Sequence, residues 1–442
     1  MKCADADLLA ALMSLIDASP SPAHLVRNVV KRLEASGFQP LTEELPFELE
    51  PGQRRYVVRD GSALCAFRIG NAPLEEAGLR IAGAHTDSPA LKLKPRPELE
   101  TREVRSLGVE VYGGPILATW LDRPLRLAGQ VAVLEGEMVR RRLVELPFHM
   151  TVPSLALHLN REVNEKGLIL NPQTMLPVLL ADGREKIPSL EALLGDLLSC
   201  APECIVGHDL IFGDATPASL CGLGGEFLSA PRLDDQAMCC AAIEALCGLE
   251  ESLDTTAVTI LFDHEEIGSR SNRGAAGAFL GTMLRRMTAS LGKDEEAHLR
   301  TLAGSTLLSL DAAHALHPNH ASLHDPTTPP LLNRGAVLKV NADLHYGTEA
   351  LTGGQVRACC RRLGLPLQTY VHRADLRCGS TIGPIVASEL GIHCADVGPA
   401  ILAMHAVREL MGVADLCSLT TLTSAFFTAA EFAPDRASAR QG

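Results

Sequence analysis

Two periodicities divide this chain. Near its start, Leu8, Leu9, Leu12, Leu15 and Ile16 recur at helical spacing, and Leu25, Val26, Val29, Val30 and Leu33 do so again. The pattern predicts one helix ending near Ala18, broken by Ser19-Pro20-Ser21-Pro22, and a second from Ala23 to Ser36, stopped at Gly37. Strand-like runs follow at Arg55–Val58 and Ala63–Ile69. The apolar stretch that begins at Leu79 then ends in Ala84-His85-Thr86-Asp87-Ser88-Pro89. From there the character changes. Short β-rich runs, Val109–Tyr112, Leu125–Leu134 and Met138–Leu143, alternate with Pro, Gly and Asn, and Leu190–Leu198 is the clearest helical pattern among them. This predicts an inserted, strand-rich domain over residues 96–230.

After Arg232-Leu233-Asp234-Asp235 a helix is expected to about Leu249, and then strands and helices alternate. Strands are read at Ala257–Phe262, Thr306–Leu310, Ala336–Val340, Leu367–His372 and His393–Val397. Helices are read at Ala276–Ser290, Thr352–Leu363, Ile382–Leu390 and after His405. Such alternation predicts an α/β domain with helices on both faces of the sheet, built from residues 1–95 and 231–442.

Composition narrows the class. A chain of 442 residues exceeds what one hydrophobic core usually serves, which fits two domains. A net charge of −13 repels phosphate and argues against nucleic acid. It also means that an acidic substrate must meet a local basic pocket. The 13 cysteines are odd in number and form no C-x-x-C pair, so reduced, mostly buried thiols of a cytoplasmic protein are expected. Acidic residues precede the first apolar segment, unlike a signal peptide, and no apolar run is long enough to span a membrane.

The candidate chemistry lies where apolar strands end. Ala257–Phe262 runs into Asp263-His264-Glu265-Glu266-Ile267-Gly268. Two adjacent glutamates at a buried strand end need water, a partner or a metal. His85 and Asp311 also follow apolar strands, and His405 follows Ile401-Leu402-Ala403-Met404. Open α/β sheets bind ligands at the carboxyl ends of their strands, so one edge gathers these residues, with Asp234 and His405 arriving on loops. Histidine nitrogen and carboxylate oxygen suit zinc, with cobalt or manganese as substitutes. Two metals about 3.5–4 Å apart need a bridge. Asp234 is assigned to it. His85 and Glu266, His405 and Asp311 complete the two metals, in a pairing left open. Glu265 remains free as general base, aimed apart from Glu266 by the alternation of an extended backbone. Asp87 orients the His85 ring.

Singly, each residue has an ordinary reading. Asp234-Asp235 is a helix N-cap, Asp311 a strand-end acid, and the glutamates have Arg270 and Arg273 as partners. Only the repeated placement argues for a site. No G-x-S-x-G or H-E-x-x-H motif competes with it.

Several stretches resemble the aspartyl aminopeptidase family of dinuclear zinc peptidases, in order and over nearly the whole chain. They are Gly83-Ala84-His85-Thr86-Asp87-Ser88-Pro89, Arg232-Leu233-Asp234-Asp235, Asp263-His264-Glu265-Glu266-Ile267-Gly268-Ser269, Asp311-Ala312-Ala313-His314-Ala315-Leu316-His317-Pro318-Asn319 and Leu402-Ala403-Met404-His405-Ala406-Val407-Arg408-Glu409. The resemblance implies a zinc-peptidase-like mixed sheet sandwiched by helices, with an inserted β-rich dimerisation domain. It implies two zinc ions per subunit on His85, Asp234, Glu266, Asp311 and His405, and Glu265 as base. His314, Lys339 and Tyr346 match positions that line the substrate pocket, where Lys339 would pair with the acidic side chain of an N-terminal Asp or Glu. His158 matches a histidine that reaches a neighbouring subunit's active site. Family members assemble as tetrahedral dodecamers. The expected function is a cytosolic metalloaminopeptidase for peptides with acidic N-terminal residues.

Overall fold

Every residue of the strand Thr256–Phe262 is buried, and its alternate positions enter two different cores. Ala257 and Leu261 pack with residues of the helices Cys3–Ala18, Pro22–Ala35, Leu233–Cys247 and Val413–Thr428. Val258, Ile260 and Phe262 pack with the helices Phe279–Ser290 and Ile382–Leu390. A strand apolar on both faces must be covered on both, so the sheet lies between two helical layers, as expected. The computed structural model describes residues 3–101, 104–183, 187–250 and 252–434.

This main sheet has nine strands in the order Gln39–Pro40, Arg54–Arg59, Ala63–Arg68, Thr256–Phe262, Leu79–His85, Thr306–Leu310, His393–Gly398, Ala336–Val340 and Leu367–Val371. Its centre is parallel: Leu79–His85 lies between Thr256–Phe262 and Thr306–Leu310. The register sets Phe262 opposite His85 and Ser309 opposite Gly83, so all three chains leave the sheet at one edge.

A second sheet is antiparallel, with six strands: Ala90–Thr101, Val104–Tyr112, Leu125–Glu135, Met138–Glu145, Val178–Asp182 and Ile205–Asp214. It has its own core, including Leu91, Leu107, Val131 and Phe212. A third sheet joins distant parts of the chain. Ser219–Cys221 and Phe227–Ala230 pair into it beside Glu409–Gly412, Ala400–Leu402 and Ala313–His314.

Two local expectations change. His405 is followed by the strand Glu409–Gly412 before the helix Val413–Thr428 begins. The helix Glu295–Ala303 was not anticipated, because its buried face holds only Ala297, His298 and Thr301. Its start signals are nonetheless legible: Asp294 caps it and Glu295 and Glu296 occupy the first turn. The twelve cysteines with described side chains are free thiols, six buried and six half-buried. Among the described residues no helix is long and apolar enough to cross a membrane.

Phe262 is fully buried where the central strand gives way to the acidic turn. Phe262→Ala is expected to destabilise the fold by about 3–5 kcal/mol through the cavity it leaves. Denaturant melts check this; a loss below about 1 kcal/mol would mean that the strand end is not a packed position.

Candidate metal centre

The three central strands supply His85, the Glu265–Glu266 turn and Asp311, and the third sheet brings the rest. Asp234 lies in the first turn of the helix Leu233–Cys247, at a non-helical φ of −81° and ψ of 101°. Its side chain caps nothing; it faces the sheet edge. His405 follows the strand Ala400–Leu402 with φ 66°.

Asp234 sits between two imidazoles. Its Oδ1 is 3.4 Å from His85 Nε2 and its Oδ2 is 3.6 Å from His405 Nε2. Glu266 Oε2 is 3.5 Å from the same His405 nitrogen. Asp234, Glu266 and His405 therefore converge within metal-ligand range, as do His85, Glu265 and Glu266, and His85, Asp234 and Asp235. Glu266 lies within reach of both imidazoles, and its close contact is with His405. Asp311 stands outside these groupings, its Oδ1 3.3 Å from the Lys339 ammonium.

Asp87 meets the His85 ring through two groups. His85 Nδ1 meets the main-chain carbonyl of Asp87 at 3.0 Å, closer than the carboxylate at 3.4 Å. A proton on Nδ1 donated to that carbonyl leaves Nε2 free to face Asp234. The Asp87 carboxylate also accepts the main-chain N–H groups of Glu265 at 3.0 Å and Glu266 at 3.1 Å, and the Tyr112 hydroxyl at 2.8 Å. It thus fixes the turn that carries both glutamates. That turn is a 3-10 segment, Glu265–Ile267, entered through His264 at φ 67°. The two glutamates diverge because the backbone coils, not because it is extended.

The donor set calls for a cation. Asp87, Asp234, Asp235, Glu265, Glu266 and Asp311 crowd a space whose nearby cationic groups are His85, His405 and Lys339. Burial first, then neighbouring carboxylates, pushes Glu265 up to about 8 and holds Glu266 and Asp235 well above the usual carboxylate range. Burial and the Asp234 charge also raise Asp311, although Lys339 opposes them. Burial opposes a charge on His85, yet Asp235, Asp234 and Asp87 outweigh it and hold the imidazole well above its ordinary value. Metal ligation requires the reverse, neutral imidazole and ionised carboxylates. Glu266 Oε1 is buried without a hydrogen-bond donor, and Asp234 Oδ1 accepts no well-aligned one. These atoms fit zinc, which takes nitrogen and oxygen ligands.

Three residues named for the substrate pocket lie beside the cluster. The Lys339 ammonium is 1% exposed, paired with Asp311, donating to Ala312 O at 3.1 Å and 5.0 Å from the Tyr346 ring. Tyr346 is buried. His314 lines a cavity of 320 Å³ together with Tyr370, His372, Met404 and His405. Burial and Lys339 lower its imidazole to about 4, so it is neutral near pH 7. His158 is not brought in: it is exposed on the 3-10 turn Leu157–Leu159, with no recorded bond to the cluster among the described residues.

Sequence reasoning missed several contributors. Tyr112 comes from the six-stranded sheet, and nothing in its surroundings marks it. Asp235 accepts the His85 main-chain N–H at 2.8 Å. Gly114 offers its carbonyl to His405 Nδ1 at 3.1 Å. Glu409, four residues after His405, accepts the main-chain N–H groups of Asp234 and His405.

A helix-covered mixed sheet with carboxylates and imidazoles at its strand ends defines a metal-dependent hydrolase. The chain belongs to the M18 peptidase family, whose model, described as aminopeptidase I zinc metalloprotease, matches residues 15–427. Its coarse activity is that of a zinc aminopeptidase. The chain is 42% identical over 426 residues to a probable M18 family aminopeptidase 2 of Stutzerimonas stutzeri, covering 95% of this chain and 98% of that one. Among solved structures it resembles Ape4 in a complex with Nbr1, with a TM-score of 0.92 and 35% identity over 96% of this chain and 86% of the other. It also resembles the mApe1 dodecamer of S. cerevisiae, with a TM-score of 0.82 and 25% identity over 95% and 96%.

The crowded carboxylates give a pH prediction for metal-free protein. Between its ordinary 4.5 and about 8, Glu265 holds a proton in the folded state that the unfolded chain has lost. Stability of the metal-free form therefore falls as pH rises through that window. Zinc, which binds the ionised set, should raise Tm more at about pH 8 than at about pH 5.5. Thermal scans of chelated and reloaded protein check it; an equal or smaller gain at the higher pH contradicts it.

Proposed function

We propose that this protein removes N-terminal Asp or Glu from peptides, with two zinc ions held by His85, Asp234, Asp311, Glu266 and His405 and with Glu265 as general base. One observation carries the reading: each oxygen of Asp234 faces a different imidazole, at 3.4 and 3.6 Å, as a bridging carboxylate requires. In this reading Glu266 and His405 complete one site, and His85 and Asp311 the other. Cobalt and manganese are the expected substitutes for zinc. Bound zinc supplies Lewis-acid polarisation of the scissile carbonyl and activates water near neutral pH.

The side chains do the remaining work. Glu265 takes a proton from the attacking water and passes it to the departing amide nitrogen. Asp87 keeps Glu265 in place by holding its main-chain N–H. Lys339, with Tyr346 and His314 beside it, supplies the cation that an acidic N-terminal side chain needs in a protein of net charge −13.

Assembly belongs to the same proposal. The unit over residues 96–230 is read as the oligomerisation domain, and the protein as a cytosolic homo-oligomer of the dodecameric kind described for S. cerevisiae mApe1. In support, Leu155, Leu157, Leu159 and Ile169 are 58, 52, 74 and 86% exposed. Burying them in a subunit contact would carry His158 towards a neighbour's active site.

One observation favours a second reading, an aminopeptidase for neutral residues. The Lys339 ammonium already pairs with Asp311 and is closed off from solvent.

Two measurements decide. Glu265→Gln is expected to keep its zinc while kcat falls by about 10²–10⁴-fold. Near-normal turnover with zinc intact removes Glu265 as the base. Lys339→Ala is expected to depress kcat/KM for Asp- and Glu-peptides at least about tenfold more than for Leu- or Ala-peptides, about 1.4 kcal/mol of discrimination. An equal loss on both supports the neutral-residue reading.

A further inference from the structure

We infer that Glu409 is a positioning residue for the metal centre, a single buried carboxylate that clamps the main chain under Asp234 and under His405. The inference rests on the ligand set proposed above. Glu409 Oε2 accepts the Asp234 N–H at 3.0 Å, and Oε1 accepts the His405 N–H at 2.8 Å. Glu409 is 3% exposed, and among the described residues no basic side chain pairs with it. Main-chain donors from two ligand-bearing segments therefore meet both of its oxygens.

Both segments need such a clamp. Arg232 is held at φ 57°, Ala403 at φ 57° and His405 at φ 66°, in the left-handed region that side chains other than glycine rarely occupy. Residues held there persist only where surrounding contacts over-determine them. The third sheet puts the clamp in place: Glu409 lies opposite Ala230, the last strand residue before Arg232 and Asp234. One carboxylate thus ties together Asp234 and His405, two segments far apart in the sequence.

The chemistry distinguishes this role from mere packing. A carboxylate offers acceptors on both oxygens. An amide of the same shape offers one acceptor, and its NH₂ confronts the other N–H. Glu409→Gln therefore fills the space but releases one segment.

The test compares Glu409→Gln with wild type and with His405→Ala. Zinc stoichiometry and affinity are read by equilibrium dialysis, and the electronic absorption of the cobalt(II)-loaded protein reports ligand geometry. Glu409→Gln is expected to keep its circular dichroism, lose about 10–100-fold in affinity for zinc and alter the cobalt bands, with excess zinc restoring turnover. Unchanged affinity and unchanged cobalt bands overturn the clamp. If Glu409→Gln does not fold, Glu409→Asp is measured by the same criteria. If neither folds in excess zinc, Glu409 serves the fold rather than the metals, and the inference is also overturned. His405→Ala separates the two layers: failure to lose a metal there overturns the ligand set and the clamp with it. Loss there with Glu409→Gln unaffected overturns the clamp alone.

Discussion

Buried negative charge is the constraint on which this structure turns. A carboxylate taken from water into a protein interior must find a partner, a proton or a metal. Here Asp234, Asp235, Glu265, Glu266 and Asp311 stand together, and among the described residues His85, His405 and Lys339 offer the nearby positive charge. No apolar repacking relieves that crowding, because the strands that deliver these residues are themselves buried along their whole length. The need for cations is therefore built into the sheet, not added at its rim.

The surrounding hydrogen bonds aim the charges. Asp87 spends its carboxylate on the two N–H groups of the glutamate turn, and its carbonyl takes His85 Nδ1. Gly114 takes His405 Nδ1. Each histidine thereby keeps Nε2 for the cluster, the arrangement in which outer partners fix the tautomer of a ligand. Glycine is required where another segment of the backbone comes too close. A Cβ on Gly398 would lie 1.9 Å from the carbonyl oxygen of Asp311.

Much of this was legible in the sequence, for a physical reason. Fully buried parallel strands read as continuous apolar runs, so the residues that end them stand out. His85, the glutamate pair and Asp311 were found that way, and the helical layers on both faces followed from the same alternation. What stayed hidden depends on geometry between distant segments. The His405–Glu266 contact arises from how the third sheet meets the first. The coil of the Glu265–Ile267 turn hangs on Asp87. Tyr112 enters from another sheet altogether. Lys339 was noticed because it interrupts an apolar run, yet its pairing with Asp311 cannot be read from that run.

The third sheet also imposes an order on events. It joins Phe227–Ala230 to Glu409–Gly412, so the edge that carries Asp234 is completed only by a strand near the end of the chain. During synthesis, His85, Asp234 and both glutamates emerge long before His405. Contacts of such sequence separation form late, after the loop between them has closed. A chain made only as far as Glu266 therefore carries His85, Asp234 and both glutamates without the strand that brings His405 beside them.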